Sequence, residues 1–451
     1  MPAWAWFVAV GVVLVLGQVL LTDLARAPSW DEAVYLSQVD PNVPTLSFVA
    51  SRARGVVVLV APFVAAGLPL TAIRAILAVG SSAAVVAAAA VWAPIVGTRI
   101  AAAAAAAFGV TWLVLFYGGE VMPNLWTAIL LLAAAGLFAR GIADGRSRPS
   151  WPSLALVAGA AVFRPIDAVI AALAISLVAL RRDADLPWVF GVPAAALAGT
   201  LPWLVEMSVR FGGPLDAARE AATVGHVEGA SFVDAARMHL GLVDGPLLGP
   251  DAGPVPVIAV LWWAGVLWLG LWYGGRAAEP AKLASRVAFA GGAGVLVVYL
   301  VGVDGSAPRF LLPAIALLVM AAAAGTTALP PASRIAVGLA AIGWIIVQLS
   351  WLGPIDDDAV AARAAAQAAG LKVRELAGPG DCLILATVEQ PQLGYASGCQ
   401  VRRIAEGEAL PVTVGDQRVF AVTRGPGAPG DVVVAGYVIA DLAPEGQVIT
   451  D

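Results

Sequence analysis

The sequence predicts a polytopic α-helical membrane protein with a small extracytoplasmic α/β domain at its C-terminus. Hydrophobic residues make up 60% of the 451 and charged residues only 13%, whereas soluble domains carry roughly 25% charged residues. The mean hydropathy is +0.87. Apolar runs of membrane-spanning length recur up to residue 353, and the composition then changes to that of a soluble domain.

A transmembrane helix needs about 20 mostly apolar residues. The first run, 4–21, reaches this length and has no Lys or Arg before it, so we expect an uncleaved helix rather than a secretory signal. The apolar stretch 55–68 is too short to cross comfortably and is expected to lie in the interface or to re-enter. The candidate spans are 4–21, 72–93, 100–116, 124–139, 187–205, 255–273, 286–303, 310–325 and 335–353.

The stretch 152–180 allows two interpretations, because Arg164-Pro165-Ile166-Asp167 interrupts it. It can be one kinked span or two short helices that meet at the break. Two helices place the arginines of 140–148 and those of 181–182 on the same side, as the positive-inside tendency favours. We therefore predict about eleven transmembrane helices, with the N-terminus inside and the C-terminus outside.

The sequence predicts two domains, a transmembrane domain over 1–353 and an extracytoplasmic α/β domain over 354–451. After Gly353-Pro354, an Ala-rich helix is expected at Asp356–Leu376, followed by strands at 382–388, 399–404 and 432–439. Cys382 and Cys399 are the only cysteines and begin neighbouring predicted strands. In a domain outside the cell they favour a disulfide, with two unpaired buried thiols as the alternative.

Several functional classes find no support. The net charge is −5 and no basic patch with interleaved aromatic residues occurs, so no nucleic-acid partner is expected. His226 and His239 lie apart from other ligand residues, so no zinc-type metal site is predicted. The sequence has no Walker loop and no dinucleotide-binding glycine motif between a strand and a helix.

Three acids are candidate catalytic residues. Asp31 and Glu32 follow the first span and stand between Trp30 and Tyr35. A carboxylate beside apolar sequence can have its pKa raised towards that of a useful general base. A solvated acidic pair at a helix terminus is the alternative. Glu120 is the third candidate, in a short loop predicted to lie outside.

Four arginines are candidates for binding a phosphate group. Arg164 lies at the break in 152–180, Arg309 begins a span, and Arg52 and Arg54 precede the short apolar stretch. Guanidinium groups match phosphate geometry. The alternative for each is an anchor that snorkels to the interface. Acids and arginines above a lipid-facing cavity suggest an anionic lipid substrate and a base-catalysed transfer.

The order of these features resembles the GT-C membrane glycosyltransferases, in particular the branch of protein O-mannosyltransferases and lipid A aminoarabinose transferases. The resemblance covers roughly residues 1–350. It rests on Trp30-Asp31-Glu32 with Tyr35, Ser51-Arg52-x-Arg54-Gly55, Ala72-Ile73-Arg74, Glu120, Phe163-Arg164-Pro165, Leu201-Pro202-Trp203 with Arg210-Phe211-Gly212, and Arg309-Phe310-Leu311-Leu312-Pro313. The chain departs from the family at Phe310, where the usual residue is Tyr.

The resemblance implies a GT-C-like fold and an inverting transfer of a sugar from a polyprenyl-phosphate donor to an extracytoplasmic glycan, lipid or protein acceptor. It assigns the general base to Asp31, the donor phosphate to Arg164 and Arg309, and an assisting or acceptor-orienting role to Glu120. Because the leaving phosphate needs no protonation, no cofactor is required and a divalent metal is optional.

Two other functions compete with this interpretation. A transporter or flippase of lipid-linked sugars would also bind such a substrate, although transporters often show inverted repeats and only one broken stretch occurs here. A non-catalytic scaffold that presents the C-terminal domain would not need the set Asp31, Arg164 and Arg309. The transferase therefore remains the favoured hypothesis.

Overall fold

A computed structural model describes residues 2–182, 185–225, 232–242, 254–302, 307–387, 390–404, 418–424 and 432–442. These residues form two compact units. The first unit contains Met1–Thr22, Val49–Val56 and Ala75–Ile355, and the second contains Asp23–Phe48, Val57–Arg74 and Asp356–Asp451.

The described part of the chain contains eighteen α-helices. They are α1 (Ala3–Leu21), α2 (Trp30–Ser37), α3 (Gly55–Ala65), α4 (Leu70–Ala90), α5 (Ala93–Val96), α6 (Thr98–Gly109), α7 (Trp112–Tyr117), α8 (Pro123–Ala143), α9 (Trp151–Phe163), α10 (Pro165–Leu180), α11 (Leu186–Phe211), α12 (Pro214–Gly225), α13 (Phe232–Gly241), α14 (Val257–Trp268), α15 (Ala281–Gly302), α16 (Leu312–Gly325), α17 (Pro331–Ala377) and α18 (Gln390–Ser397).

The predicted class of polytopic helical membrane protein is confirmed. Eight helices among the described residues are long and apolar enough to cross a membrane, and three shorter apolar helices, α3, α9 and α10, accompany them. The predicted number of about eleven spans stays a prediction. Helices α8 and α16 are the most buried of the eight and α1 is the least buried, so the centre of the first unit is built around α8 and α16.

Close helix packing in the first unit depends on small residues. At Gly199 of α11, a Cβ atom would lie 2.1 Å from the carbonyl oxygen of Ala158 in α9. Gly325, at the end of α16, would clash in the same way with the carbonyl oxygen of Leu269. Glycine is therefore required at both positions, because only a bare Cα allows the backbones to approach this closely.

The ambiguous stretch 152–180 forms two helices, α9 and α10, with Arg164 between them. Arg164 has extended backbone angles (φ −145°, ψ 92°). The cause is local, since the ring of Pro165 disfavours the helical conformation in the residue before it. Pro165 itself occupies the first turn of α10, where its missing N–H costs nothing.

Two predicted spans differ from the structure. The predicted span 100–116 is divided between α6 and α7, because Thr111 adopts an extended conformation (φ −64°, ψ 144°) between them. The predicted span 335–353 is only the first part of α17, which continues to Ala377 and includes the Ala-rich helix expected at Asp356–Leu376. Pro354 lies inside this helix and does not end it.

The second unit contains a five-stranded sheet with the strand order β2-β1-β3-β5-β4. Strand β1 pairs in parallel with β2 and β3, and β5 pairs antiparallel with β3 and β4. The interior strand β1, which lies between β2 and β3, is buried along its whole length. The strands are β1 (Cys382–Ala386), β2 (Gln400–Arg403), β3 (Arg418–Arg424), β4 (Val432–Val434) and β5 (Tyr437–Leu442).

The strand predicted at 432–439 is a hairpin of two strands. Ala435 (φ 50°) and Gly436 (φ 83°) form the turn between β4 and β5. Two consecutive positive φ angles are typical of the tight hairpin turns that match strand twist. The prediction missed the turn because alanine rarely adopts a positive φ angle, so Ala435 gave no sign of a turn.

A hydrophobic core joins the sheet to two helices of the same unit. Ile384 and Phe420 from the sheet pack with Ala369 and Val373 of α17 and with Leu393 of α18. Cys382 and Cys399 form a disulfide within this core. The predicted domain boundary at 353–354 stays a prediction, since the compact unit around the sheet also includes residues 23–48 and 57–74.

Candidate active site

Helix α2 carries the first two candidate acids and begins with a reciprocal cap. The Ser29 hydroxyl accepts a hydrogen bond from the backbone N–H of Glu32, and the Glu32 carboxylate accepts one from the backbone N–H of Ser29. This capping box satisfies two N–H groups at the helix start. It fixes the position of the first turn, which contains Trp30 and Asp31.

A buried ion pair with Arg74 holds the same glutamate. Arg74 donates from Nε to Glu32 Oε1 at 3.1 Å and from Nη2 to Oε2 at 2.6 Å, and both side chains are 0% exposed. Burial alone would raise the pKa of Glu32, but the charge and hydrogen bonds of Arg74, with a further contribution from Arg363, lower it to about 2. Glu32 is therefore a weak base, and both of its carboxylate oxygens are engaged by Arg74. Both properties are unfavourable for a general base.

Arg74 also orders the loop that leads into α2. Its guanidinium donates hydrogen bonds to the backbone carbonyls of Leu24, Arg26 and Ala27. Arg26 in turn donates to Asp356 Oδ1 at 2.8 Å. The loop before α2 is thus held by charged side chains of its own unit.

Asp31 differs from its neighbour in burial. Its side chain is half-buried, and the preceding Trp30 is 40% exposed. Of the two adjacent acids, Glu32 is completely buried and Asp31 is the more accessible. The residue pattern alone could not separate them, because both belong to the same short motif, although the resemblance assigned the base to Asp31.

A second charged cluster lies in the first unit, where two arginines share one carboxylate. Arg54 binds Glu206 through both Nε and Nη2, at 2.8–3.0 Å. Arg210, one helical turn after Glu206 in α11, donates to the same Oε1 atom at 2.7 Å. The arginine side chains are each 39% exposed. Two guanidinium groups therefore converge on one partly accessible oxyanion position.

Arg164 lies in a different environment. It donates from Nε to Asp167 Oδ2 at 2.6 Å and from Nη2 to the hydroxyl oxygen of Tyr299. The Tyr299 hydroxyl donates to the other oxygen of Asp167 at 2.6 Å. This closed set of bonds ties the break between α9 and α10 to α15, which favours a structural role for Arg164.

Arg309 and Glu120 are also nearly enclosed, with 9% and 1% of their surfaces exposed. The guanidinium carbon of Arg309 lies 5.2 Å from the ring centroid of Phe310, and that of Arg164 lies 5.1 Å from the same ring. Arg309 also lies 5.8 Å from the ring centre of Tyr117, whose carbonyl accepts the backbone N–H of Glu120. The structure thus brings Arg164 and Arg309 together around Phe310, with the loop of Glu120 beside them.

Sequence reasoning assigned no role to Arg210, although its motif was part of the resemblance. The available signal was the spacing of Glu206 and Arg210, four residues apart on one helix, which allows an ion pair. Arg52 is half-buried and next to this cluster in sequence. Among the described residues, no group of three or more His, Cys, Asp and Glu is arranged to hold a metal ion.

Comparison with solved structures shows a similar fold at 12–14% sequence identity. The sequence itself matches no protein-family model and no curated protein.

The chain is similar over its whole length to ArnT from Cupriavidus metallidurans bound to undecaprenyl phosphate, with a TM-score of 0.65, 14% identity and coverage of 99% of this chain and 100% of that one. It is also similar to the oligosaccharyltransferase AglB from Archaeoglobus fulgidus in complex with an inhibitory peptide and a dolichol-phosphate. There the TM-score is 0.52 and the identity 12%, with 88% of this chain and 64% of that chain covered.

The ion pair leads to a prediction about stability. Replacing Glu32 with Gln leaves Arg74 buried without its countercharge, and breaking such a pair costs about 3–5 kcal/mol. We expect the melting temperature of the purified protein to fall by at least about 5 °C. Because the pKa of Glu32 is lowered from 4.5 to about 2, its stabilisation is complete above pH 4.5 and is lost as the pH falls through about 2.

Asp31→Asn is the matched control, since it removes a carboxylate from the adjacent, half-buried position. It should lower the melting temperature by less than Glu32→Gln does. Equal melting temperatures for wild type and Glu32→Gln between pH 7 and pH 3 would show that the ion pair does not stabilise the protein.

Proposed function

We propose that this protein is an inverting glycosyltransferase that moves a sugar from a polyprenyl-phosphate donor to an acceptor outside the membrane. The observation that carries the proposal is the convergence of Arg54 and Arg210 on one oxygen of Glu206. The similarity in fold to a structure that holds undecaprenyl phosphate supports it.

The donor phosphate is bound by Arg54 and Arg210, with Arg52 nearby in the sequence. Glu206 Oε1 lies 2.8 Å from Arg54 and 2.7 Å from Arg210. A phosphate oxygen at a comparable point would receive the same two charge-assisted hydrogen bonds, which are strong for guanidinium groups. Arg164 and Arg309, predicted for the same role, both lie beside Phe310, and this proposal does not use them to bind the phosphate.

Asp31 is the general base. Glu32 holds α2 through Arg74, and Glu120 is almost completely enclosed. Of the three candidate acids, Asp31 is therefore the one that an acceptor hydroxyl can approach. Trp30, beside it and 40% exposed, offers an apolar surface next to the base.

The reaction follows from these two roles. Asp31 takes the proton of the acceptor hydroxyl as its oxygen attacks the anomeric carbon of the sugar. The bond from that carbon to the phosphate oxygen breaks, and the polyprenyl phosphate leaves with the electron pair. Attack from the face opposite the phosphate inverts the anomeric centre. The arginines compensate the charge that develops on the leaving phosphate.

The proposal assigns no cofactor to this reaction. Phosphate is a good leaving group and does not need an acid to protonate it, so one base and compensating arginines are sufficient. A divalent metal is not required by this scheme.

The active site and the sheet domain face the extracytoplasmic side in this proposal. The disulfide between Cys382 and Cys399 supports this orientation, because disulfides persist in oxidising compartments. A reporter enzyme that works only outside the cytoplasm, fused after Asp451, should be active in intact cells. A reporter that works only in the cytoplasm should be silent at the same position, and activity of this second fusion would contradict the proposed orientation.

The role of Asp31 predicts a large loss of transfer activity. Asp31→Asn keeps the size of the side chain but removes the proton acceptor, so transfer should fall by about 10²-fold or more. The measurement is transfer of label from a panel of polyprenyl-phosphate sugars to a cell-envelope fraction. The melting temperature should fall by less than it does in Glu32→Gln.

The same substitution separates a transferase from a transporter or flippase of lipid-linked sugars. Transport requires no proton removal from an acceptor hydroxyl, so a transporter would retain its function in Asp31→Asn. Retained transfer activity would remove Asp31 from the mechanism.

The phosphate site predicts weaker donor binding when either arginine is replaced. Arg54→Gln and Arg210→Gln should each reduce the affinity for undecaprenyl phosphate at least about tenfold, because a charged hydrogen bond is lost. Lysine should restore affinity only in part, since an ammonium group cannot form two parallel hydrogen bonds. Binding is measured per folded molecule in detergent.

Arg164→Gln is the control, because Arg164 is enclosed by Asp167 and Tyr299. It should lower the melting temperature and leave donor affinity unchanged. If donor affinity were lost in Arg164→Gln and kept in Arg54→Gln, the phosphate would bind at the cluster around Phe310 and not at Arg54 and Arg210.

A further inference from the structure

The second unit contains a cavity that the proposed chemistry does not use. Its volume is about 210 Å³. Its walls come from the loop before α2, from α17 and from α18, all of which belong to this unit. Four polar side chains line it together with small apolar groups, namely Arg363, Gln367, Gln392 and Tyr395, with Ala27 and Pro28.

Arg363 gives the cavity a cationic wall. Its Nη1 atom lies 3.6 Å from Glu32 Oε2, whereas Arg74 approaches the same oxygen to 2.6 Å. Arg74 is thus the closer partner of Glu32 and Arg363 the more distant one. A guanidinium carries five N–H donors in one plane, which suits a carboxylate or a phosphate.

Tyr395 and Gln392 supply hydrogen-bonding groups of a different kind. The Tyr395 hydroxyl donates to Asp40 Oδ2 at 3.0 Å, so its oxygen can accept a further bond. Burial and the charge of Asp40 raise the pKa of Tyr395, which keeps the phenol neutral. The Oε1 atom of Gln392 is buried and has no hydrogen-bond partner within the described part of the chain. A buried acceptor of this kind is costly unless a donor reaches it.

The combination restricts the chemistry of the ligand. Amide and phenol groups that both donate and accept match the hydroxyl groups of a sugar, and the guanidinium of Arg363 matches a negative charge. The volume lies below the roughly 300–1,000 Å³ of pockets that hold drug-sized molecules. It therefore fits one sugar ring rather than an oligosaccharide or a lipid.

We propose that this cavity binds one anionic monosaccharide unit of the acceptor. The negative group of the sugar contacts Arg363, and its hydroxyl groups form hydrogen bonds with Gln367, Gln392 and Tyr395. This inference rests on the proposed function, whose acceptor class it specifies as an acidic glycan or glycolipid. The negative group of this monosaccharide can be a carboxylate or a phosphate, and the experiment distinguishes the two.

The test measures binding of free sugars to the full-length, donor-free protein by saturation-transfer NMR. The probes are glucuronate, glucose 6-phosphate, glucose and inorganic phosphate. Saturable binding of glucuronate or glucose 6-phosphate, at least about tenfold tighter than that of glucose or of inorganic phosphate, supports the cavity as an anionic-sugar site. The tighter of the two identifies the anionic group. Absence of saturable binding of both sugars, or equal binding of glucose, overturns the proposal.

Two variants locate the binding. Arg363→Gln removes the cation, and Gln367→Leu replaces an exposed glutamine on the same helix with a side chain of similar size that forms no hydrogen bonds. Both should weaken binding of the anionic sugar at least about fivefold. Lys372→Gln is the control, because this lysine of α17 pairs with Glu375 at 2.7 Å and does not line the cavity. Unchanged binding in both cavity variants overturns the proposal.

The experiment separates this inference from the proposed function. Sugar binding is measured without donor, and donor binding is measured without sugar. Arg363→Gln and Gln367→Leu should leave the affinity for undecaprenyl phosphate unchanged, while Arg54→Gln should leave glucuronate binding unchanged. Failure of the cavity therefore appears in the sugar measurement alone, and failure of the phosphate site appears in the donor measurement alone.

Discussion

The ion pair between Glu32 and Arg74 is the interaction on which the candidate base depends. Removing two charges from water is costly, and the cost is offset only when the remaining hydrogen-bonding groups are satisfied. Here the carboxylate also caps α2 at Ser29, and the guanidinium also binds three carbonyls of the preceding loop. One pair of side chains thus fixes both the loop and the helix start that carries Asp31.

The same constraint explains why most of the buried and partly buried acids in the described part of the chain are paired with arginines. Asp167 binds Arg164, Glu206 binds Arg54 and Arg210, and Asp356 binds Arg26. In apolar surroundings an isolated charge is unfavourable, so carboxylates and guanidinium groups occur together. A reactive carboxylate must therefore differ from this pattern in accessibility. The half-buried Asp31 differs from the enclosed Glu32 in this respect.

The sequence predicts what depends on local pattern and fails where distant residues meet. Hydropathy predicts the membrane class, and Pro165 predicts the break before α10, because both effects act within a few residues. The partner of Arg54 could not be predicted, since Glu206 lies 152 positions away. The hairpin turn was missed because Ala435 is an unusual residue for a positive φ angle. The resemblance assigned the base to Asp31, but the residue pattern alone does not distinguish it from Glu32, and the role of Arg210 cannot be derived without the folded structure.

The shared oxygen of Glu206 has a consequence for the proposed donor site. Long arginine side chains lose conformational entropy when a ligand orders them, which weakens binding. Glu206 holds Arg54 and Arg210 close to one point, so both side chains are ordered by an ion pair of the protein itself. A donor phosphate in the proposed site would compete with this carboxylate for the two guanidinium groups. The two guanidinium groups carry one positive charge more than Glu206 neutralises. A phosphate could therefore bind the arginines together with Glu206, without breaking the existing ion pairs completely.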